Sequence, residues 1–511
     1  MLESQKIVSL DDSYYVYNRI PYGLLSAELD GMANDFLAEL GNICKYYDVY
    51  KKGAKFDAEG SNGDYISAVL PYKMAASLIN KEARFLFAES PDIKVEAKGD
   101  VGAVSDESAD MLTTINDLLA SIFAENKFED ILLKAAKDCF IGKRVACVVN
   151  FNEEDGVTIT FLPATQFIYE TKFGNKNQLS KFVCFSVVRD STDATYKRIF
   201  KKKYELVDDV VYLEETLYDG NATVIEETTP YQETLMPMIP ACVFINDGLT
   251  GDEKGESEIE NLMGFESWYS KLASADIDAE RKSMNPTKYV VDMDDSSTKN
   301  LKTSAGALWD LGTDQNLVNP HPTVGILEPQ MNYSEALKTS LERIKTTGYE
   351  QVDMPNITLD TLQGAVTSGK ALKAIYWPLI VRCKEKMKMW SPQLKKMVDI
   401  IIAGAIAYPN CVEKYTTDAI QPVLYEVVVE QNTPLPEDEA EEKTLDLSEV
   451  DSKVMSRKSY MKKWRMLTDD EVNEELKQIA LERQIIEDSF TTDFASGSNS
   501  EAFNFSETMG N

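Results

Sequence analysis

Apolar residues recur at helical spacing in several stretches of the chain. Residues 67–88, 105–140 and 255–284 each place apolar side chains three and four positions apart, which predicts amphipathic helices. In the last stretch the apolar face consists of Ile259, Leu262, Phe265, Tyr269, Leu272 and Ala279. Asn285–Pro286 ends this helix, because a residue that precedes proline disfavours the helical conformation. Residues 1–95 are predicted to be mostly helical.

Between residues 144 and 242 the apolar spacing changes to two. β-Branched and aromatic runs alternate there with short turns of Asp, Asn and Gly, which predicts an antiparallel β region. Three consecutive lysines, Lys201–Lys203, lie in this region. We interpret them as the lysine protection of an edge strand.

The second half of the chain continues with helices, short strands and loops. Two prolines, Pro378 and Pro392, lie inside its longest predicted helix, so we expect either two bends or a break at Ser391–Pro392. The predicted elements are a compact insert at 287–332 with strands at 289–291 and 307–309, a helix at 332–349, a loop at 351–369, the long helix from a cap at Thr367 or Ser368 to about 407, a strand at 423–430, an acidic linker at 437–451, a helix at 456–486 and a disordered tail from 488.

Charge narrows the range of functions. The 511 residues contain 53 Lys plus Arg and 85 Asp plus Glu, a formal charge of −32. Proteins that grip DNA neutralise phosphates with basic side chains, so the chain as a whole is not of that class. Either this is an ordinary solvated acidic surface, or it is a surface that DNA passes without adhering.

Cysteine usage and apolar runs bear on the compartment. Seven cysteines occur without a CxxC pair, which is typical of reduced core residues in a cytosolic product. We expect no signal peptide and no membrane-spanning helix, because charges interrupt every long apolar stretch.

Candidate chemistry is sparse. The single histidine, His321, excludes a histidine triad or a two-histidine zinc site within one chain, so we expect no catalytic residue, no metal and no cofactor. Gly364–Lys370 fits part of a phosphate-binding loop, but Ala371 stands where a magnesium-binding Ser or Thr belongs. A metal-dependent nuclease stays open as an alternative through Asp292, Asp294 and Asp295, although these three are more typical of a turn.

Several short segments carry a resemblance that covers about residues 40–485. They are Tyr46–Tyr50, Ala83–Pro91, Ala135–Gly142, Ile239–Pro240 with Asn246 and Gly255–Glu260, and Ser368–Lys373. In this order and spacing they resemble the portal proteins of long-tailed bacteriophages, of the kind typical of phages of Gram-positive hosts. Glu89 departs from the pattern, since glycine is expected there, and the residues after 487 have no counterpart.

The resemblance implies an α+β portal fold with a wing, a two-helix stem, a small α/β clip, a tunnel loop, a long kinked helix and a helical crown. The implied parts are a wing at 1–254, stem helices at 255–284 and 333–350, a clip at 285–332, a tunnel loop at 351–369, a long kinked wing helix and wing strand at 370–436, an acidic linker and crown at 437–486, and a tail at 487–511.

The resemblance also implies site residues. The tunnel loop would face DNA through Met354, Asn356, Thr358, Asp360 and Gln363. The clip would dock partners through Tyr289, Val291, Trp309 and His321. The acids expected to line the channel on the first stem helix are Glu258, Glu266, Asp276 and Glu280.

The implied function is structural and not enzymatic. Copies would form a ring, usually of twelve, at one capsid vertex of the virion and would be assembled in the host cytoplasm. Partners would be the major capsid protein and scaffold, the terminase large subunit, a head–tail adaptor, and double-stranded DNA that passes without sequence specificity; no membrane is involved. A minor capsid or baseplate protein is the structural alternative.

Overall fold

The chain folds into helices and antiparallel strands, as the α+β prediction requires. The computed structural model describes residues 20–29, 31–57, 66–98, 106–189, 197–249, 254–284, 287–294, 312–314, 316–319, 321, 323–327, 332–356, 369–416, 418–432, 439–465, 467–468 and 471–482. These residues divide into a larger unit, within Met1–Thr358 and Ile375–Pro434, and a smaller unit, within Leu359–Ala374 and Leu435–Asn511.

The helices and strands are numbered in chain order. The helices are α1 (Tyr22–Glu28), α2 (Ala33–Lys52), α3 (Met74–Phe87), α4 (Asp106–Glu125), α5 (Phe128–Gly142), α6 (Glu258–Met284), α7 (Ser334–Glu350), α8 (Gly369–Ala407), α9 (Glu439–Asp451), α10 (Arg457–Arg465) and α11 (471–482). The strands are β1 (Asp92–Ala97), β2 (Arg144–Asn152), β3 (Gly156–Pro163), β4 (Phe167–Lys172), β5 (Asn175–Arg189), β6 (Lys197–Val207), β7 (Val210–Tyr218), β8 (Val224–Glu233), β9 (Ala241–Ile245), β10 (Thr287–Val291), β11 (Thr323–Leu327) and β12 (Tyr425–Glu430).

The core of the larger unit lies where α2, α3 and α5 pack together and meet the three-stranded sheet β3–β2–β9. The predicted apolar face of α3 is buried there through Leu78 and Ile79. Trp390 of α8 completes this core, with its ring 5.0 Å from that of Phe87 and 4.5 Å from that of Phe244. All seven cysteines are free, and six of them are buried.

The interpretation of Lys201–Lys203 as edge protection is wrong. These residues lie on β6, which is the middle strand of the antiparallel sheet β4–β5–β6–β7–β8. Each of the three cations pairs with a carboxylate, which makes the middle position tolerable; only Glu28 among these carboxylates is distant in sequence. The pairs are Lys201–Glu28 at 2.9 Å, Lys202–Glu215 at 3.0 Å and Lys203–Glu205 at 3.1 Å.

The long helix α8 runs without a break through both of its prolines, Pro378 and Pro392. The alternative of a break at Ser391–Pro392 is therefore wrong. Leu394, Met397 and Val398 follow the second proline and are fully buried, so packing offsets the hydrogen bond that proline removes. The predicted caps, Thr367 and Ser368, lie outside the described residues.

The acidic stretch at 437–451 is not a linker, because α9 occupies most of it. Its Asp446 is buried and accepts hydrogen bonds from the Trp464 indole at 2.7 Å and from Lys463 of α10. Contacts with a basic helix therefore hold an acidic one in place. The strand predicted at 307–309 and the tail from 488 lie outside the described residues.

Candidate functional site: a long helix, an exposed hairpin and the segment after them

Helix α6 begins at a tight junction. Gly255 adopts a φ of +73°, and a Cβ there would lie 2.6 Å from the Lys143 carbonyl oxygen, so the junction requires glycine. The Ser257 hydroxyl then accepts a hydrogen bond from the Ile259 N–H at 3.2 Å and donates one to the Ile141 carbonyl at 2.7 Å. The start of α6 is thereby fixed to the end of α5.

A line of polar side chains along α6 holds an extended segment of the chain. The backbone N–H groups of alternate residues in the segment donate to successive turns of the helix: Ala68 to Asp278 at 2.9 Å, Leu70 to Ser274 at 2.9 Å and Tyr72 to Ser270 at 2.9 Å. Four helical residues rise about 6 Å, and two extended residues span about 6.6 Å. The two spacings match, so a helix serves here as the hydrogen-bonding partner of a strand-like segment.

Glu266 continues this line by one turn and is fully buried. Its two carboxylate oxygens accept hydrogen bonds from the Ala54 N–H at 2.7 Å and the Ala75 N–H at 2.8 Å. Burial raises the pKa of Glu266 above its ordinary value, although the backbone hydrogen bonds oppose the shift. This carboxyl group joins three separate segments through backbone contacts.

Glu258, two turns earlier, lies in a buried ionic network. Its carboxylate is 2.6 Å from Lys386 Nζ and 2.6 Å from Arg382 Nη2. Burial by itself would raise the pKa of Glu258, but Lys386 and Arg382 hold it below its ordinary value. Glu82 of α3 shares both cations, at 2.8 Å from Arg382 and 3.2 Å from Lys386. The network joins α3, α6 and α8.

Arg382 also reaches the segment after α7, where its Nη1 lies 3.6 Å from Asp353. α7 itself packs along α6. Immediately after α7, Met354 is buried and donates its N–H to the Tyr349 carbonyl at 3.0 Å. The first residues of this segment are therefore packed into the larger unit.

The hairpin of β10 and β11 is much less buried than the start of α6. The two strands pair antiparallel, with Tyr289 opposite Gly325. Any Cβ at Gly325 would lie 2.2 Å from the Tyr289 ring, so this ring covers the glycine. Val290 is half-buried. Four other apolar side chains are exposed: Val291 by 45%, Val324 by 47%, Ile326 by 52% and Leu327 by 61%. A two-stranded hairpin with so little burial is marginally stable by itself.

The part of the chain that is similar to known proteins includes most of α6, the hairpin, α7 and α8, but not Glu258, Glu266 or the extended segment that α6 holds. A family model described as "Phage portal protein, SPP1 Gp6-like" matches residues 269–488. This stretch of the chain is similar to tailed-phage portal proteins. None of the curated proteins searched matches it.

The apparent phosphate-binding loop at Gly364–Lys370 lies inside the residues that match the portal family. Within the residues that the structure describes, no group of three or more His, Cys, Asp and Glu side chains is arranged to hold a metal ion. The same described residues contain no helix that is long and apolar enough to cross a membrane. The match of residues 269–488 supports the structural role of a phage portal protein.

Two of the acids predicted to line a portal channel do not face solvent. Glu258 and Glu266 are buried inside the chain by the contacts above, so this part of the prediction is wrong. The physical reason is that their partners are cations and N–H groups far away in sequence, which the pattern of α6 does not reveal. Asp276 is half-buried and Glu280 is exposed, and for these two the channel role stays a prediction.

The predicted DNA-facing loop is also corrected at one position. Met354 belongs to the core and not to a loop surface, because it packs at the end of α7. Asn356 is half-buried. The remaining predicted loop residues lie outside the described part of the chain: Thr358, Asp360 and Gln363.

The predicted docking residues of the clip lie on or beside the hairpin. Tyr289 and Val291 are on β10 and are both partly exposed. His321 precedes β11, is exposed, and donates its N–H to Asp292 at 2.9 Å. Trp309 lies outside the described residues. The docking role of all four stays a prediction.

The buried polar line of α6 was missed from the sequence. Its one sequence signal is the regular spacing of Glu266, Ser270, Ser274 and Asp278, each four residues from the next. On a helix this spacing forms a continuous stripe. A stripe of short polar side chains with no lysine or arginine is a mark of buried hydrogen bonding more than of a solvated face.

Proposed function

We propose that the chain is the subunit of a closed ring through which double-stranded DNA passes at one capsid vertex, inward during packaging and outward during ejection. The match of residues 269–488 to the portal family carries this proposal. Such a ring needs a heterologous contact whose rotation closes, so that every subunit uses two different surfaces. The usual number in the family is twelve.

The order of elements in the matched region supports a division into parts. Helices α6 and α7 form the two-helix stem at 255–284 and 333–350, and the hairpin between them forms the clip at 285–332. In the loop at 351–369, the residues after the buried Met354 face the DNA. The wing comprises 1–254 and 370–436, and the crown lies at 437–486. The packing of α7 along α6, with an exposed hairpin between them, supports this reading.

The acidic charge of the chain favours a channel through which DNA passes rather than a surface that binds DNA tightly. Each subunit contributes −32, so the phosphates of DNA are repelled from most of the wall. Screening over about 8–10 Å at physiological salt confines that force to the region near the wall. Contacts from neutral groups such as Asn356 position a duplex and carry no sequence information.

The exposed hairpin supports the assignment of partners. Its apolar side chains need a covering surface, and the terminase large subunit during filling and a head–tail adaptor afterwards are the partners we assign to it. The major capsid protein and scaffold would contact the wing. The assembled ring would then belong to the virion after assembly in the host cytoplasm.

Electron microscopy of the purified full chain tests the proposal. We expect rings with a central hole, and we expect their fraction to rise with salt because salt screens the repulsion between acidic subunits. Mass photometry of the same samples gives the subunit number. Monomers or open sheets at every salt and protein concentration would contradict the ring and favour a different structural component of the virion.

A further inference from the structure

One short segment of the smaller unit reverses the charge of the chain. Residues 453–465 contain six basic side chains and no carboxylate, whereas the whole protein carries −32. The six are Lys453, Arg457, Lys458, Lys462, Lys463 and Arg465. Five of them belong to α10, which is nine residues long. A basic concentration of this kind in an acidic protein indicates a polyanion as its partner.

One side of α10 is occupied inside the smaller unit. Met461 is buried, and the Trp464 indole donates to Asp446 of α9 at 2.7 Å. Lys463 lies on the same carboxylate, 3.0 Å from it. The Ser456 hydroxyl accepts the Ser459 N–H at 3.0 Å and caps the first turn. These contacts fix which side of the helix faces outward.

Three cations follow one line of α10. Lys458, Lys462 and Arg465 stand at positions i, i+4 and i+7, the spacing of a single helix face. Lys462 and Arg465 are exposed, and Lys458 is half-buried. At about 1.5 Å per residue the line is roughly 10 Å long. Duplex DNA carries one phosphate charge per about 1.7 Å of its axis, so such a line faces several phosphates at once.

One ion pair on this line is exposed and weak. Arg465 lies 3.1 Å from Glu475, but both side chains are largely exposed. Exposed pairs of this kind contribute only about 0–1 kcal/mol, so a phosphate can replace Glu475 at small cost. Contacts from Lys and Arg to phosphates position a duplex and carry no sequence information. The proposed contact therefore depends on charge.

We infer that the outward face of α10 binds the phosphate backbone of double-stranded DNA. The inference rests on the proposed function, which brings a duplex to the ring. It places the attraction in the smaller unit, while the acidic remainder of the chain repels the same duplex. An acidic protein surface is the rival occupant, and the test below includes it.

Binding of a fluorescent duplex of arbitrary sequence to the full-length chain, followed by anisotropy, tests the inference. With three phosphate contacts, affinity should fall about 40-fold between 50 and 200 mM salt. The triple variant K458Q/K462Q/R465Q should lose most of the affinity and most of this salt dependence. The matched control K52Q/K94Q/K134Q removes three exposed cations from the larger unit and should retain both.

Equal losses in the two triple variants would assign the effect to net charge and overturn the inference. Absence of duplex binding even at low salt would also overturn the inference. If an acidic virion protein then bound through α10 in place of DNA, the basic helix would be a protein-binding surface. Electron microscopy of the same variants separates this result from the proposed function. Rings that form normally but do not bind DNA through α10 leave the portal ring standing and remove only the role of the basic helix.

Discussion

The first two turns of α6 (the base of α6, Glu258–Glu266) and the hairpin after this helix differ in which residues they bury. The base buries charged side chains, whereas the hairpin exposes apolar ones. At the base, Glu258 and Glu266 are buried and hold segments together through ionic and backbone contacts. In the hairpin, Val324 and Ile326 face outward with about half of their surface exposed to solvent. Polar residues therefore hold the start of α6 in place, while apolar residues form the exposed surface of the hairpin.

The difference follows from what each group requires. A buried carboxylate has to find cations or N–H donors inside the chain, because an unsatisfied charge costs several kcal/mol. An exposed apolar side chain lowers the stability of the chain only slightly, and its burial by a partner is favourable. The chain thus satisfies its base internally, and the hairpin keeps apolar surface available. Each of the following changes tests one side of this contrast.

The largest effect is expected at Glu258. Replacing it with alanine leaves Lys386 buried beside Glu82 and Arg382, and the free energy of unfolding should fall by about 3–5 kcal/mol. Urea unfolding measures this loss. Glu256→Ala, at an exposed position beside α6, is the control and should change stability by less than about 0.5 kcal/mol.

The double variant E258L/K386M should recover much of the loss, because it removes both charges and keeps apolar volume. A loss below about 1 kcal/mol in Glu258→Ala would contradict a structural role for the network. The pKa of Glu258 is held below its ordinary value of 4.5. The stability that it contributes is therefore present above pH 4.5 and is lost as pH falls.

Glu266 should show a smaller effect with the opposite dependence on pH. Glu266→Gln leaves one of the two N–H groups, of Ala54 or Ala75, without an acceptor, which should cost about 1–3 kcal/mol. Because burial raises the pKa of Glu266 above 4.5, the contribution of the native side chain is present below 4.5 and declines as pH rises.

Unfolding curves over a range of pH separate these two carboxylates of one helix. The cost of Glu266→Gln should shrink as pH rises, whereas the cost of Glu258→Gln should grow. Identical pH dependence in the two variants would show that net charge governs both and that the two environments do not differ. Ser283→Ala, on the last turn of α6, serves as a neutral control.

The sequence predicts where helix α6 lies better than it predicts which residues contact its side chains. Apolar spacing locates α6, since Ile259 and Leu262 are buried as the pattern requires. The burial of Glu258 depends on Lys386, which is 128 residues away. No local period contains that information. The same limit explains Lys201, whose partner Glu28 is 173 residues away.

The acidic composition of residues 437–451 led to a wrong prediction for a related reason, because most of this stretch is helix α9. A run of acids is typical of a solvated linker, but Asp446 is buried against Lys463 and Trp464 of the next helix. A residue in a charge run can pair with an opposite charge nearby, and here Lys463 of α10 supplies the partner of Asp446. The sequence reading predicted the strand at 289–291 but not its partner at 323–327, and the resemblance assigned the acids of α6 to a channel without regard to their burial.

The smallest effect on stability, and a large one on assembly, is expected in the hairpin. Val324 and Ile326 occupy alternate positions of β11 and point to the same side of the strand. Because both are largely exposed, V324S/I326S should change the free energy of unfolding by no more than about 0.5 kcal/mol. If this surface docks the terminase large subunit, the variant should nevertheless lose binding to it in pull-down and lose DNA packaging.

The matched control is V224S/I225S on β8, where the two side chains are exposed by 48% and 42%. It makes the same chemical change at an edge of the larger sheet and should leave packaging intact. Normal packaging by V324S/I326S would remove the docking role from the hairpin. A large loss of stability in that variant within purified rings would instead show that neighbouring subunits cover the hairpin, since the single chain leaves these side chains in solvent.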